Sequence, residues 1–412
     1  MNITSIDIAR NDMRKSLPEV AANEAQCSFL VVWAAAPGEN SSSFDYTVSG
    51  RLISGSGQSI GNIFDIIRTS DILMLPRVLY NPHNNQYLVI YCRGENYFNI
   101  RGVFLDEAGN PVSPHFAVTD VPANQFHYTM AFNSKRNQFL IVYNDFRNDI
   151  STVYGLIIDE RGRLVRPEFP ISNAPGHQIN PVVCYNPDND TYLINWEDFR
   201  AHGNGLEPLG TLEVMTDIYG ALLSGDGTVI INDIPMCADA AGANADQRFN
   251  GIVYNPRRGE FLASWTDTSA RLHNVGIMGR IVLPDGSMPE SDFPLVDGPG
   301  AQMIGHVIYV PQKDGYFIAF ERDHNDVDKF YFKDIKAKLS IAAQWLDGNG
   351  KPIGDMLDIF SGSTNQRFVR VAYNQKSNSF LIVWQSDFPG VSDSVEGHIM
   401  SAGGDIRGAL LS

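Results

Sequence analysis

Apolar and polar positions alternate along this chain in short runs, and the runs come in groups of four. Pro181 to Ile234 shows the unit: PVVCYNPDNDTYLINWEDFR, an insertion, then DIYGALLSGDGTVIINDI. Runs of this length, rich in Val, Ile, Tyr and Phe and bounded by turn residues, predict strands rather than helices. The unit reads as a strand, an Asn-Pro turn, a second strand ending in Trp196, a third around Tyr219-Gly220, a Gly turn and a fourth strand. That is a four-stranded antiparallel meander.

The pattern recurs seven times. Its turn position is Asn23, Asn81, Asn133, Asn186, Asn255, Val310 and Asn374. Ten residues after each stands an aromatic: Trp33, Tyr91, Tyr143, Trp196, Trp265, Phe320 and Trp384. Two glycines seven residues apart follow, Gly50/Gly57, Gly102/Gly109, Gly155/Gly162, Gly220/Gly227, Gly279/Gly286 and Gly397/Gly404, with Ala343/Gly350 in the sixth copy. Seven residues further lie Phe64, Phe116, Phe169, Ile234, Phe293, Leu357 and Leu411. The next turn position follows 17 residues later each time, except for 21 between the fourth and fifth copies.

A lone meander of this kind has two apolar faces and must bury both. Seven of them packed face to face around an axis predict an all-β, seven-bladed β-propeller forming a single domain. The blades are expected at approximately 13–70, 71–122, 123–175, 176–240, 241–299, 300–363 and 364–412, with 1–12 as a closing strand. Ile6 stands 17 residues before Asn23, so Ser5 to Ala9 falls in a fourth-strand position with no strands before it. Ala409 to Leu411 falls in the same phase, which leaves open whether the N-terminal strand, the C-terminal strand or both close the ring.

The second-to-third-strand connections vary most, and Ala34–Val48, Glu197–Ile218 and Glu321–Ala342 are the long ones. In an up-and-down blade these loops share a side with the blade-to-blade crossovers, and variable loops on a rigid scaffold are where binding is expected. First strands lie nearest the axis. Four residues before each turn position come Glu19, Arg77, Thr129, Val182, Gly251, His306 and Arg370, with His127, Tyr128 and Asn180 near the same mouth. Guanidiniums there suit a carboxylate or sulfate, which their planar fork binds through two hydrogen bonds. The alternative is internal pairing of Glu19 with Arg77 or Arg370.

Composition narrows the partners. The chain has 412 residues, a formal net charge of −16 and a pI near 4.9. Nucleic acid and anionic membrane surfaces are therefore not expected, since both require clustered Lys and Arg. No apolar run is long enough to predict a membrane-spanning helix. The first residues, MNITSIDIARNDMRK, lack a signal peptide's apolar segment, so the expectation is a cytoplasmic chain, or a secreted one whose mature form has gained a Met. Cys27, Cys92, Cys184 and Cys237 have no metal-like spacing and are expected to be free.

Other motifs read as structural. Asp145-Phe146-Arg147, Asp198-Phe199-Arg200, Asp267 and Asp387 recur after the blade-end aromatic and are expected to cap loops and bridge neighbours. No cofactor or metal is expected; Asp323-His324-Asn325-Asp326 with Asp328 is crowded with Ca2+-suited oxygens but lacks the Gly-pivoted spacing of an EF-hand. Nucleophile elbows, phosphate-cradling Gly loops and His-Glu-x-x-His stretches are missing from the sequence.

WEDFR followed by DIYGALLSGDG, with YNPRRGEFLASW and YNQKSNSFLIVW, resembles the repeat of bacterial β-propeller proteins carrying "YNP…YLVVW.D.R…DIYG…DG". The resemblance covers every blade; blade one departs most, with Ala34-Ala35-Ala36 in place of the Asp/Arg loop. It implies the propeller fold and is nearly silent on activity. Two functional readings follow. One is a binding propeller that takes a glycan, a small anionic ligand or a protein partner on the long-loop face, with Glu19, Arg77, Thr129, Asn180, His306 and Arg370 as ligand-binding residues. The other is a lyase or hydrolase acting on a carboxylate- or sulfate-bearing saccharide or small molecule. There Arg77 and Arg370 neutralise the substrate, His127 or His306 is the base and Tyr128 the acid. A purely structural part of a larger assembly is a third.

Overall fold

The computed structural model describes residues 2–10, 13–38, 45–94, 96–200, 215–237, 246–268, 275–324, 339–387 and 403–412. Among these every helix or strand is a β-strand, and the strands form four-stranded antiparallel meanders. The chain divides into two compact units, one of Met1–Pro122, Ile335–Ala343 and Leu357–Ser412, the other of Ala123–Asp334 and Gln344–Met356.

The first unit opens with β1 (Ile3–Ala9), followed by β2 (Arg14–Asn23), β3 (Ser28–Ala36), β4 (Tyr46–Ser54) and β5 (Ser59–Thr69). Strands β2 to β5 form one meander. Strand β1 leaves it and pairs with Gly404–Leu411, itself paired with Ser379–Asp387 and through that with Gln366–Asn374. The two meanders meet at a single residue pair, Lys15 opposite Gly404, which joins them into one eight-stranded sheet. Ile72–Asn81, Gln86–Gly94, Phe98–Leu105 and Phe116–Ala117 make a separate four-stranded sheet. In the second unit, sheets at Gln125–Pro170, Gln178–Cys237 and Gln247–Val296 repeat the order, and another begins with Ala301–Val310 and Gly315–Asp323.

The N-terminal strand therefore supplies the outer, fourth strand of the last meander, with Ile6 opposite Gly408. The expected seventh-copy register needs correction. Gly408 faces Val383 on the second strand as Gly50 faces Val32 and Gly102 faces Ile90. So the C-terminal strand is a third strand, Gly404 and Leu411 are not repeat positions, and Gly397 lies outside the described residues. The reason is topological: a copy whose fourth strand comes from the other end of the chain needs no Gly turn after its third.

The repeated residues each have a physical cause. The turn Asn is buried, and its side-chain carbonyl accepts a backbone N–H two or three residues on, as Asn133 does from Arg136 at 3.0 Å and Asn374 from Ser377 at 3.0 Å. Val310 cannot, and there Lys313 N donates to the Val310 carbonyl instead. The third-strand glycine leaves room for the apolar residue opposite it: a Cβ on Gly102 would come within 2.7 Å of the Phe116 ring. The turn glycine adopts a left-handed conformation, φ +86 at Gly109, which other residues enter at a cost.

The aromatic ten residues after the turn anchors the core. Trp33 packs among Ile6, Ile8, Phe29, Leu381 and Leu410 in the first unit, and Trp196 among Leu140, Val142, Ile171 and Leu223 in the second. Truncating a buried aromatic of this kind to Ala costs roughly 3–5 kcal/mol.

Strand β1 contributes the buried Ile6, Ile8 and Ala9 to that first core. Deleting residues 1–10 is expected to destabilise the protein by roughly 3–6 kcal/mol, two isoleucines at about 1.5–3 each. Denaturant midpoints with and without a peptide of residues 2–10 added in trans check this; the peptide should restore part of the loss, and an unchanged midpoint on deletion contradicts the role of β1.

Candidate ligand-binding site

Every candidate residue sits on or beside one local irregularity. In each first strand the register slips between the residue seven places and the residue four places before the turn. The residue six before the turn is left-handed: Leu17, Leu75, His127, Asn180, Phe249, Ile304 and Phe368 have φ between 42 and 56. None is a glycine, so each stores backbone strain. The bulge re-aims the side chains after it. Those are Glu19, Arg77, Thr129, Val182, Gly251, His306 and Arg370.

The first unit brings three of them together. Arg77 Nη1 donates to Glu19 Oε2 at 2.7 Å, and Arg370 Nε approaches the same oxygen at 3.4 Å. Arg370 also donates from Nη1 to the Val369 carbonyl, at 2.8 Å. The side chains of Glu19, Arg77 and Arg370 keep 13%, 21% and 22% of their surface exposed, so the cluster is accessible but partly shielded from water. Two guanidiniums thus share one carboxylate oxygen. Glu19 is therefore paired internally with both arginines.

The second unit holds the others in different environments. Thr129 Oγ1 donates to the Pro181 carbonyl at 3.1 Å, tying one meander to the next. His127 takes the left-handed position at φ +42, its ring tilted against Phe126 with centroids 6.4 Å apart. Tyr128 is buried, with 1% of its surface exposed. His306 is half-buried opposite Ala319. Asn180 Nδ2 donates to Glu197 Oε1 at 2.9 Å.

Glu197 was not singled out by the sequence, because only burial makes it unusual. Its Oε1 also accepts the N–H of Phe249, the left-handed residue of the next first strand, at 2.9 Å. Asn144 Oδ1 and Thr266 Oγ1 do the same for Asn180 N and Ile304 N, at 3.0 and 3.1 Å. All three stand eleven residues after a turn position, so one rule latches successive meanders. Burial pushes the Glu197 carboxyl up from 4.5 to about 7, helped by the Asp246 charge and opposed by Arg248, Asn180 and the Phe249 amide.

The recurring Asp/Arg pairs are structural. Arg147 binds Asp145 at 2.7 Å and Glu168 at 2.7 Å and lies 4.4 Å over the Tyr154 ring. Arg200 binds Asp198 at 2.7 Å and Asp233 at 2.8 Å and lies 4.0 Å over Tyr219. Trp196 and Trp265 donate from Nε1 to Asp198 and Asp267 at 2.9 and 3.1 Å. Asn325, Asp326 and Asp328 lie outside the described residues, as do Phe44, Phe330 and Tyr331 of the long loops. The four cysteines are thiols rather than disulfides; burial raises the Cys92 and Cys184 thiols, the latter to about 12.

The raised Glu197 carboxyl predicts a pH dependence. Between pH ~4.5 and ~7 the folded state keeps a proton that the unfolded chain has released, so stability falls as pH rises through this window and is flat above it. Glu197→Gln keeps an oxygen for the Phe249 amide and removes the titration. Its stability relative to the parent should rise across that window by a few kcal/mol in order of magnitude. Denaturant unfolding at several pH values measures both slopes; parallel slopes contradict the assignment.

No family model matches the chain, and no curated protein sequence matches it. Among solved structures, a protein of unknown function from Dyadobacter fermentans superposes with a TM-score of 0.56 at 12% identity, over 99% of this chain and 98% of that one. The β-propeller domain of the Trilobed protease from Pyrococcus furiosus gives 0.49 at 10% identity, over 92% and 93%. The periplasmic gluconolactonase of Pseudomonas aeruginosa gives 0.49 at 10%, over 84% and 86%. The first of these is a likeness of fold alone, and it runs the length of both chains.

Proposed function

We propose that the chain is a seven-bladed β-propeller, closed by β1 in the last blade, and that it is a binding protein for a carboxylate- or sulfate-bearing ligand. The ligand is an anionic glycan or an acidic segment of a protein partner, taken up at Arg77 and Arg370 on the long-loop side. One observation carries the reading: a single partly buried carboxylate, Glu19, orients two guanidiniums that remain about one-fifth exposed. Such a carboxylate holds the cations against their mutual repulsion, and the exposed fifth of each guanidinium side chain is where a second anion approaches. The bulge before each of the three residues fixes where they point.

The lyase or hydrolase reading asks Tyr128 to deliver a proton to a substrate, and a side chain 1% exposed does not favour it.

Binding to arrays of carboxylated, sulfated and neutral glycans and of acidic peptides tests the proposal. Arg77→Gln and Arg370→Gln should each weaken binding by ~10-fold or more, the usual worth of one charge-assisted hydrogen bond. Glu19→Gln should leave or strengthen it at low salt. Retention of full affinity in the Arg77→Gln, Arg370→Gln double variant would sink the reading.

A further inference from the structure

The first meander carries a cavity of about 290 Å3 on one sheet face, lined by Met13, Lys15, Trp33, Ser49, Asp65 and Arg68. The ladder puts these side chains together. Lys15 stands opposite Ala35, Ala35 opposite Thr47 and Thr47 opposite Arg68, one row across β2, β3, β4 and β5. Two residues along, Trp33 faces Ser49 and Ser49 faces Asp65. A register slip in β5 brings Asp65 and Arg68, three residues apart, to the same side, where Arg68 Nη2 reaches Asp65 Oδ2 at 2.6 Å.

Comparison with the third and fourth meanders shows why there is room. There the same space is filled. Asp145 and Asp198 stand where this meander has Ala35, and Arg147 and Arg200 where it has Pro37. Tyr154 and Tyr219 pair with the blade-end aromatic as Ser49 pairs with Trp33. Glu168 and Asp233 precede the residue opposite the third-strand glycine, as Ile63 does here. An ion pair stacked on an aromatic ring thus plugs two meanders, and all four of its positions are replaced in the first.

We infer that this vacated position is a binding site for a one-ring sugar acid. The volume lies close to the ~300 Å3 at which small-molecule sites begin. Trp33, 2% exposed, borders the floor of the cavity, and Ser49 Oγ, 3.0 Å from Asp65 Oδ1, forms a hydroxyl–carboxylate pair suited to sugar hydroxyls. Lys15 is only 1% exposed. Its Nζ donates to the Met13 carbonyl at 2.9 Å and lies 3.5 Å from Asp405 Oδ1, a carboxylate also approached by Arg10 at 3.3 Å. A carboxylate on the guest meets Arg68, the cation of the lining whose side chain is 47% exposed. The site is independent of the Arg77–Glu19–Arg370 cluster.

Calorimetry and tryptophan fluorescence of the full chain titrated with glucuronate and galacturonate, against glucose and galactose, provide the test. One of the two acids should bind saturably and its neutral counterpart at least ~10-fold more weakly, one charge-assisted contact's worth. Refilling the plug in full, with Ala35→Asp, Pro37→Arg, Ser49→Tyr and Ile63→Asp, should abolish binding without loss of stability. Arg68→Gln, at a side chain 47% exposed and safe for folding, should weaken it, whereas Arg77→Gln should not. The inference is overturned if neither acid binds, if the neutral sugars bind equally, or if the refilled variant binds as the parent does.

Discussion

The structure depends on a strained residue and on the hydrogen bond that holds it. Each first strand turns left-handed six residues before its hairpin, at Leu, His, Asn, Phe or Ile rather than at glycine. Such a residue costs of order 1–2 kcal/mol, and it breaks the strand ladder so that its own N–H needs a new acceptor. In the second unit the acceptor is the side chain eleven residues after the previous turn, Asn144, Glu197 or Thr266. The bond therefore serves two purposes: it satisfies a buried amide, and it fixes one meander's angle against the next. In the first unit the same bulge precedes Glu19, Arg77 and Arg370, which meet although Glu19 and Arg370 are 351 residues apart in sequence.

How much of this was legible depended on whether the cause was local. The turn Asn, the turn glycine and the glycine opposite an aromatic each act on their own hairpin, so identity and interval reveal them. The polar set four residues before the turn was legible for the same reason, since it keeps a constant phase. The bulge was not: left-handed Leu17 or Phe368 bears no mark in its residue type, because strain there is imposed by packing. Glu197 was hidden too, since a glutamate after a Trp in WEDFR is ordinary until burial raises its proton affinity. The last copy misled because a glycine pair at the right interval, Gly397 and Gly404, imitated a hairpin that the chain never makes.

Repetition also shows where a unit has been released from its structural duty. Arg147 and Arg200, each clamped between two carboxylates and laid on a tyrosine, stiffen their own meanders. The first meander has Ala, Pro, Ser and Ile at the corresponding places and keeps the tryptophan behind them. Losing a single member would leave a buried charge unpaired, at several kcal/mol. Losing all of them together leaves no orphan, only space. A coordinated change of this kind is what separates a cavity from a defect.

The charge of the whole chain and the cations proposed to meet an anion have opposite signs, and distance reconciles them. A net charge of −16 acts through water over a screening length of ~8 Å at physiological salt, which disfavours approach by an extended polyanion. Within hydrogen-bond reach the pairing is local: Arg77 and Arg370 with Glu19, Lys15 with Asp405 and Arg68 with Asp65. A guanidinium held by a neighbouring carboxylate has little conformational entropy left to lose on meeting an anion. On the proposed reading, an acidic surface around such a cluster would select by size, admitting one carboxylate and repelling a long chain of phosphates along most of its length.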